Sequence, residues 1–255
     1  MADSRIKFSA VVITYNEEDN IGPCLEALHQ VADDIVVADS HSTDRTPELV
    51  RAAGARLLPT DWQGYARTKN LANQAARHKW ILSIDADEVL SPELIQSLQA
   101  WRPEPDTVYA LDRLTNYCGQ WVHHSGWYPE WKVRLFPKSE VEWQGDFVHE
   151  TLRIPPHFRR RKLEGRLFHY SYKSEEDHRK RIEKYARLWA EERLATGRSP
   201  SWLKRRFGPA ARFFITYVLR QGWRDGRAGR RIARYESRMV RRRHEILEEL
   251  RKQEE

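Results

Sequence analysis

Asp85, Asp87 and Glu88 fall within four residues of one another, directly after the apolar run from Trp80 to Ile84. Two carboxylates spaced i, i+2 past the end of a strand can both reach one divalent cation, and Mg²⁺ or Mn²⁺ held by one or two carboxylates takes its remaining ligands from phosphate and water. A metal–diphosphate site is one reading of this spacing. An ordinary acidic turn before a helix opened by Ser91, Pro92 and Glu93 is the other. Further along, Gly145 to Glu150 brings Asp146, His149 and Glu150 together. His149-Glu150 begins a zinc-protease pattern, but position 153 is Arg where the second His is required. His169 stands in the short apolar strand Leu167–Tyr170, as a ligand or as a structural group.

The elements that must position these residues follow from the pattern around them. Lys7–Thr14 has the β-branched, apolar character of a central strand and leads through a polar turn, Tyr15–Asn20, into a helix whose first turn the acids suit. Asp34–Asp39 is a second strand, Pro47 starts a helix that Gly54 closes, and Ala55–Leu58 is a third strand. Tyr65–Arg77 is a helix and Trp80–Ile84 the fourth strand. Strands alternating with helices imply a parallel α/β sheet covered on both faces.

Ligands of open α/β sheets bind beyond the carboxyl ends of the strands. Three such ends, at Thr14–Glu17, Asp39–Asp44 and Asp85–Glu88, are polar and acidic. The first turn lacks the glycines of a dinucleotide fold, which argues against a nicotinamide or flavin enzyme. A nucleotide fits better: Asp39 could accept from a base or ribose, and Tyr15 could cover the base face. Helix capping or an Asx-turn would equally account for Asp39 and Asp44.

The loop between the strands Tyr109–Leu114 and Lys132–Phe136 is crowded with rings: Trp121, His124, Trp127, Tyr128 and Trp131. Apolar ring faces fit the C–H faces of a pyranose, so together they suggest an acceptor-binding wall. Any one ring could instead plug a core.

The order Val12–Glu18, Asp39–Thr46, Lys69-Asn70 and Asp85-Ala86-Asp87 resembles the nucleotide-sugar half of a family 2 glycosyltransferase. That resemblance implies the GT-A fold, a Rossmann-like mixed sheet, here with a helical C-terminal extension. It implies a UDP-sugar donor held by Thr14, Tyr15, Asn16, Glu17 and Asp39, with Arg67 and Lys69 near the sugar or diphosphate. Asp85 and Ala86 would face the ribose or donor sugar, and Asp87 with His169 would hold Mn²⁺ or Mg²⁺. Inverting transfer needs a base for the acceptor hydroxyl; Glu150 is the first choice and Asp146 the second. His124 to Glu130, Arg134 to Phe136, Tyr217 and Gly222 to Gly226 further resemble bacterial lipopolysaccharide core glucosyltransferases, implying a membrane-associated, phosphorylated glycolipid acceptor.

Charge is uneven along the 255 residues. Residues 1–155 carry 15 Lys/Arg against 23 Asp/Glu, a net of −8, and residues 156–255 carry 29 against 14, a net of +15. The basic part suits a polyanionic neighbour. Ser174–Asp177 opens a helix, and Trp202–Leu219 mixes cations with aromatics as a helix lying in an anionic membrane interface does. A helical cap is the other reading. Gly222, Gly226 and Gly229 break that segment before a last helix, Ile232–Leu250. The expected division is a catalytic domain over residues 1–172, split near 104 into donor and acceptor halves, and a basic helical region over 173–255.

No stretch approaches the roughly 18 apolar residues that span a bilayer, and two cysteines are too few for a disulfide framework. The expectation is a cytoplasmic protein, peripheral on the inner face of the inner membrane. A haloacid-dehalogenase-like phosphatase using Asp85 is the rival enzyme. A non-enzymatic polyanion binder acting through the tail is the other rival, and the lack of any nucleic-acid-binding motif argues against nucleic acid. Donor sugar, linkage and oligomeric state are left open.

Overall fold

The computed structural model describes residues 6–145, 150–197 and 202–254. It divides into two compact units, residues 1–113 with 130–169 and residues 114–129 with 170–255.

The first unit starts with β1 (Phe8–Thr14), α1 (Ile21–His29), β2 (Asp34–Asp39), α2 (Thr46–Ala52), β3 (Arg56–Pro59), α3 (Tyr65–Ala75) and β4 (Trp80–Asp85). The apolar runs read from the sequence are the strands, and β1 pairs in parallel with both β2 and β4. Glu17, Glu18 and Asp19 precede α1, whose first turn holds no acid. This corrects the expected dipole contribution: the acids belong to the connecting turn. The chain then turns at Ala86-Asp87 into β5 (Glu88–Leu90), so Glu88 opens a strand instead of closing an acidic turn.

α4 (Pro92–Ala100) follows, and Ser91 Oγ accepts from Leu94 N at 3.2 Å, an N-cap worth about 1 kcal/mol. β6 (Thr107–Tyr117), β7 (Gln120–Trp121), β8 (Glu130–Pro137) and β11 (Arg159–Tyr172) complete the sheet. β9 (Glu142–Gln144) and β10 (Thr151–Arg153) form a separate ribbon. The strand order is β3-β2-β1-β4-β8-β6-β11-β5. It is mixed, because β8 runs antiparallel to β4 and β5 antiparallel to β11. Phe8, Val12, Leu82 and Ile84 pack one face with Leu25, Leu28, Leu94 and Leu98 of the helices. Val11, Val36, Ile81 and Phe136 pack the other. The expected strand at Leu167–Tyr170 is the end of the fourteen-residue β11.

The second unit contains α5 (Glu175–Ala195), α6 (Trp202–Phe214) and α7 (Gly226–Glu254). Ser174 Oγ accepts from Asp177 N and caps α5 as expected. Ala186 and Ala190 of α5 pack on Ile246 and Leu247 of α7. α6 runs into a π-turn, Ile215–Leu219, and a 3-10 turn, Gly222–Asp225. α7 already begins at Gly226, so Gly229 lies inside that helix and does not break it.

Candidate active site

Thr14, Asp39 and Asp85 stand at the carboxyl ends of neighbouring parallel strands: Thr14 is paired with Asp39, and Ile13 with Asp85. Most polar side chains beyond these ends knit one loop to the other. Asn16 N donates to Ser42 Oγ at 2.8 Å, and Asn16 Oδ1 accepts from Thr43 N at 2.8 Å. Glu17 N donates to Thr46 Oγ1, and Glu18 N to Asp44 Oδ2. Asp39 accepts from both Ser42 N and Ser42 Oγ, and Asp44 from Thr46 N. The local Asx-turn weighed for Asp39 is therefore present; a carboxylate has lone pairs to spare for a ligand as well. Two features of this edge face outward or lack a partner. Tyr15 is 57% exposed, and the buried Thr14 hydroxyl has no partner among the described residues.

The centre of the unit is a chain of alternating charges. Lys69, 2% exposed on α3, places Nζ 3.0 Å from Asp85 Oδ1 and 3.4 Å from Glu150 Oε1. The ring of Trp143 lies 4.5 Å beneath that ammonium, held by paired hydrogen bonds between its backbone and the Asn70 amide. Arg134 Nη2 reaches Asp85 Oδ2 at 2.6 Å and Glu88 Oε1 at 2.5 Å. Arg113 joins Glu88 to Glu130. Burial alone would raise the Asp85 carboxyl, but Arg134 and Lys69 outweigh it and hold the group well below the usual carboxylate range.

Asp87 and His169 meet because β5 and β11 align Glu88 with His169. His169 Nε2 lies 3.4 Å from Asp87 Oδ2, with the side chains 13% and 18% exposed. Among the described residues, no three His, Cys, Asp or Glu side chains converge as a full metal cage. One carboxylate and one imidazole nonetheless fit a cation that keeps ligand positions for phosphate and water. The local potential is negative: burial, then Glu88, Asp87 and Asp85, push the neighbouring Cys24 thiol well up.

Arg67 lies on the exposed side of α3, away from the buried chain of charges. Ala86 is buried in the core, and Asp146 lies outside the described residues. Glu88 was read only as part of the acidic cluster, and its ion pairs with Arg113 and Arg134 were not anticipated. The available signal was an arginine at an inward position of the alternating Lys132–Phe136 strand, which demands a buried counter-ion.

The ring-bearing residues have different surroundings. Trp131, in the first unit, carries Lys162 Nζ 4.2 Å above its ring. In the second unit, Trp127 stacks on Tyr172 at 5.3 Å and meets the edge of Tyr117 at 5.8 Å. Trp127 is thus covered on one face by Tyr172 and remains half-buried. Trp121 packs edge-on with Tyr170, and Tyr128 with His123, each half-buried. His124 is tied to Asp225, 3.0 Å from Nδ1.

Residues 9–172 match the family described as Glycosyl transferase family 2, more than half of the chain. The lipopolysaccharide core biosynthesis glycosyltransferase LpsC of Rhizobium meliloti (strain 1021) is 29% identical over 239 residues, 88% of this chain and 86% of the relative. An uncharacterized glycosyltransferase of Rickettsia bellii (strain RML369-C) is 39% identical over 93 residues. That match spans 36% of this chain and only 32% of the Rickettsia protein. S. aureus TarS 1-349, crystallised with UDP, aligns over 98% of this chain and 92% of its own, at 17% identity and a TM-score of 0.46. The chain belongs to glycosyl transferase family 2 and is a glycosyltransferase, and its sheet is mixed.

Proposed function

We propose that the protein transfers a hexose, with inversion, from a UDP-sugar to a phosphorylated glycolipid acceptor of the lipopolysaccharide core type. The observation that carries this reading is the Lys69 ammonium between Asp85 and Glu150, which holds a donor-side carboxylate and a candidate base on one cation. Thr14, Tyr15 and Asp39 line the strand ends where a nucleoside would lie. Glu150, 24% exposed, takes the proton of the acceptor hydroxyl as that oxygen bonds to the anomeric carbon and the carbon–phosphate oxygen bond breaks. Lys69 orients Glu150, and Arg134 keeps Asp85 ionised and fixed. Asp87 and His169 would hold Mn²⁺ or Mg²⁺, whose chemistry when bound is to neutralise the charge of a departing diphosphate.

The acceptor class rests on the second unit and on the likeness to LpsC, a lipopolysaccharide core biosynthesis glycosyltransferase. Leu203, Phe207, Ala210, Phe214 and Val218 recur at helical spacing, and all five are exposed. Lys204 and Arg206 flank that stripe, a pattern suited to an anionic membrane surface. On α7, Arg234, Arg238 and Arg241 line a groove of about 650 Å³ that Glu183 of α5 completes. No helix among the described residues is long and apolar enough to cross a membrane. Surface attachment to the cytoplasmic face of the inner membrane is the placement we favour.

The phosphatase alternative loses its basis, because both Asp85 oxygens are engaged by cations and the family chemistry is glycosyl transfer. The test is calorimetry of UDP and UDP-hexoses with and without Mn²⁺. Metal-dependent binding to the wild type, weakened at least tenfold in Asp87→Ala, is expected. Absence of nucleotide binding under every condition would refute the donor assignment.

A further inference from the structure

The segment Gly222–Gly226 is tightly engaged within the second unit. Asp225 is 5% exposed, and its carboxylate accepts four hydrogen bonds from three successive residues. His123 N and His124 Nδ1 donate to Oδ1, each at 3.0 Å. His124 N donates to Oδ2 at 3.0 Å, and the Ser125 hydroxyl at 2.8 Å. The backbone adds two fastenings, from Gln120 Nε2 to the Asp225 carbonyl at 2.7 Å and from Ser125 N to the Arg220 carbonyl at 2.8 Å.

Close packing keeps this segment in place. A Cβ on Gly229 would fall 1.8 Å from the Gly222 carbonyl, and one on Gly222 would fall 3.0 Å from Ser125 Oγ. Val122, at the base of the loop, is fully buried with Tyr117, Ala228 and Ile232.

Fastening a loop does not by itself require a buried charge. Asp225 forms no ion pair with Lys or Arg among the described residues; His124 is its one cation-capable partner. An ionised carboxylate only accepts, so the bond to His124 Nδ1 requires a proton on that nitrogen. The tautomer and the ring plane are then both fixed. The other ring nitrogen, Nε2, has no protein partner among the described residues, is not among the buried unpartnered atoms, and belongs to a side chain 25% exposed.

We infer that His124 Nε2 contacts an oxygen of the acceptor saccharide, and that Asp225 is the residue positioning it. The inference rests on the glycosyl-transfer reading above for the identity of the ligand. The clamp itself stands on the hydrogen bonds alone. Asp225→Asn replaces one acceptor oxygen by a donor, so it opposes His124 Nδ1–H or a backbone N–H while keeping the residue's shape. His124→Gln removes the ring and spares the loop backbone.

Three measurements on the full chain test this. Amide exchange in Asp225→Asn should quicken at His123 and His124, while the melting curve stays cooperative. With deacylated lipopolysaccharide core oligosaccharide as acceptor, both variants should raise the acceptor KM about tenfold, the loss of roughly one hydrogen bond, with donor KM unmoved. Dephosphorylated oligosaccharide separates a hydroxyl contact, where the ratio persists, from a phosphate contact, where it collapses. In ¹⁵N-histidine spectra the same oligosaccharide should shift the His124 Nε2 resonance. An unchanged acceptor KM in His124→Gln would reduce the clamp to a structural role and overturn the inference. Should the wild type transfer no sugar to this acceptor, the functional reading fails separately, and the histidine spectrum decides: a shift at Nε2 upholds the contact and none refutes it.

Discussion

The centre of the first unit buries polar groups as a chain of ions, whereas the ring cluster around His178 in the second unit buries them as neutral groups. Glu150, Lys69, Asp85, Arg134, Glu88, Arg113 and Glu130 follow one another with alternating sign, and Glu88 is wholly buried. In the second unit His178 sits among Tyr117, Tyr172, Trp127 and Tyr235, and its Nδ1 lies 3.0 Å from the Tyr117 hydroxyl. Burial, followed by the charge of Arg181, brings that imidazole down to about 4. Burial likewise takes the Tyr172 phenol up to about 12. Both solutions answer the same penalty for unpaired buried polarity. Only the ionic one fixes charges, and fixed charges are what the proposed diphosphate leaving group would need.

The sharpest way to break the contrast is to cut the ionic chain at its middle. Arg134→Ala leaves Glu88 with Arg113 alone and deprives Asp85 of one of its two cations. Removing one partner of a buried pair costs about 3–5 kcal/mol, which urea unfolding would register as a lower midpoint. Replacing Arg134 and Glu88 together by Met and Gln should recover much of that loss, because no charge is then stranded. Equal destabilisation by the single and double variants would show that packing, not charge pairing, sets the cost.

The contrast also predicts a pH order. His178 has a folded pKa of about 4 against an unfolded value near 6.5, so the unfolded chain binds the extra proton between those limits. The stability of the second unit is therefore complete above about pH 6.5 and falls as pH drops towards 4, by at most on the order of 3 kcal/mol. Asp85 responds in the same direction but at lower pH. Its folded pKa is depressed, so its contribution persists throughout this window and is lost only as pH falls below the usual carboxylate range. Amide exchange at pH 7 and pH 5 should show α5 and α7 loosening while β1 and β4 stay protected. His178→Gln should remove the slope, and a slope that survives the substitution would assign it to other groups.

How much of this was legible depends on the range of the interaction. The strand ends at Thr14, Asp39 and Asp85 are local patterns of β-branched residues followed by polar turns, and the sequence locates them. Asp87 and His169 were paired only through family resemblance, and the β5–β11 register brings them together. The partners of Asp85 were illegible. Lys69 comes from α3 and Arg134 from β8, and nothing near residue 85 shows which cations the sheet order delivers. The motif acids Glu17 and Glu18 were read towards a ligand or a helix dipole, and Asp44 towards a ligand, a cap or an Asx-turn, whereas their backbone or side chains also tie one loop to another. Asp225 lies about a hundred residues from the loop it holds. Trp127 shows the same limit in apolar form, since a ring's sequence neighbours do not reveal whether Tyr172 covers it.

The smallest expected change in stability lies on α6, where the comparison extends to the surface. Leu203, Phe207 and Phe214 are each more than half exposed, so they contribute little to either unit's core. Changing all three to Ser should alter the unfolding free energy by roughly 0.5 kcal/mol or less per site. Vesicle flotation should respond far more. The wild type should bind vesicles containing phosphatidylglycerol, and the triple variant should lose most of that binding at the same ionic strength, because flanking Lys204 and Arg206 alone give only a screened attraction. A variant that floats like the wild type would leave the stripe without a membrane role. A variant that unfolds would show instead that these side chains are packed, which their exposure denies.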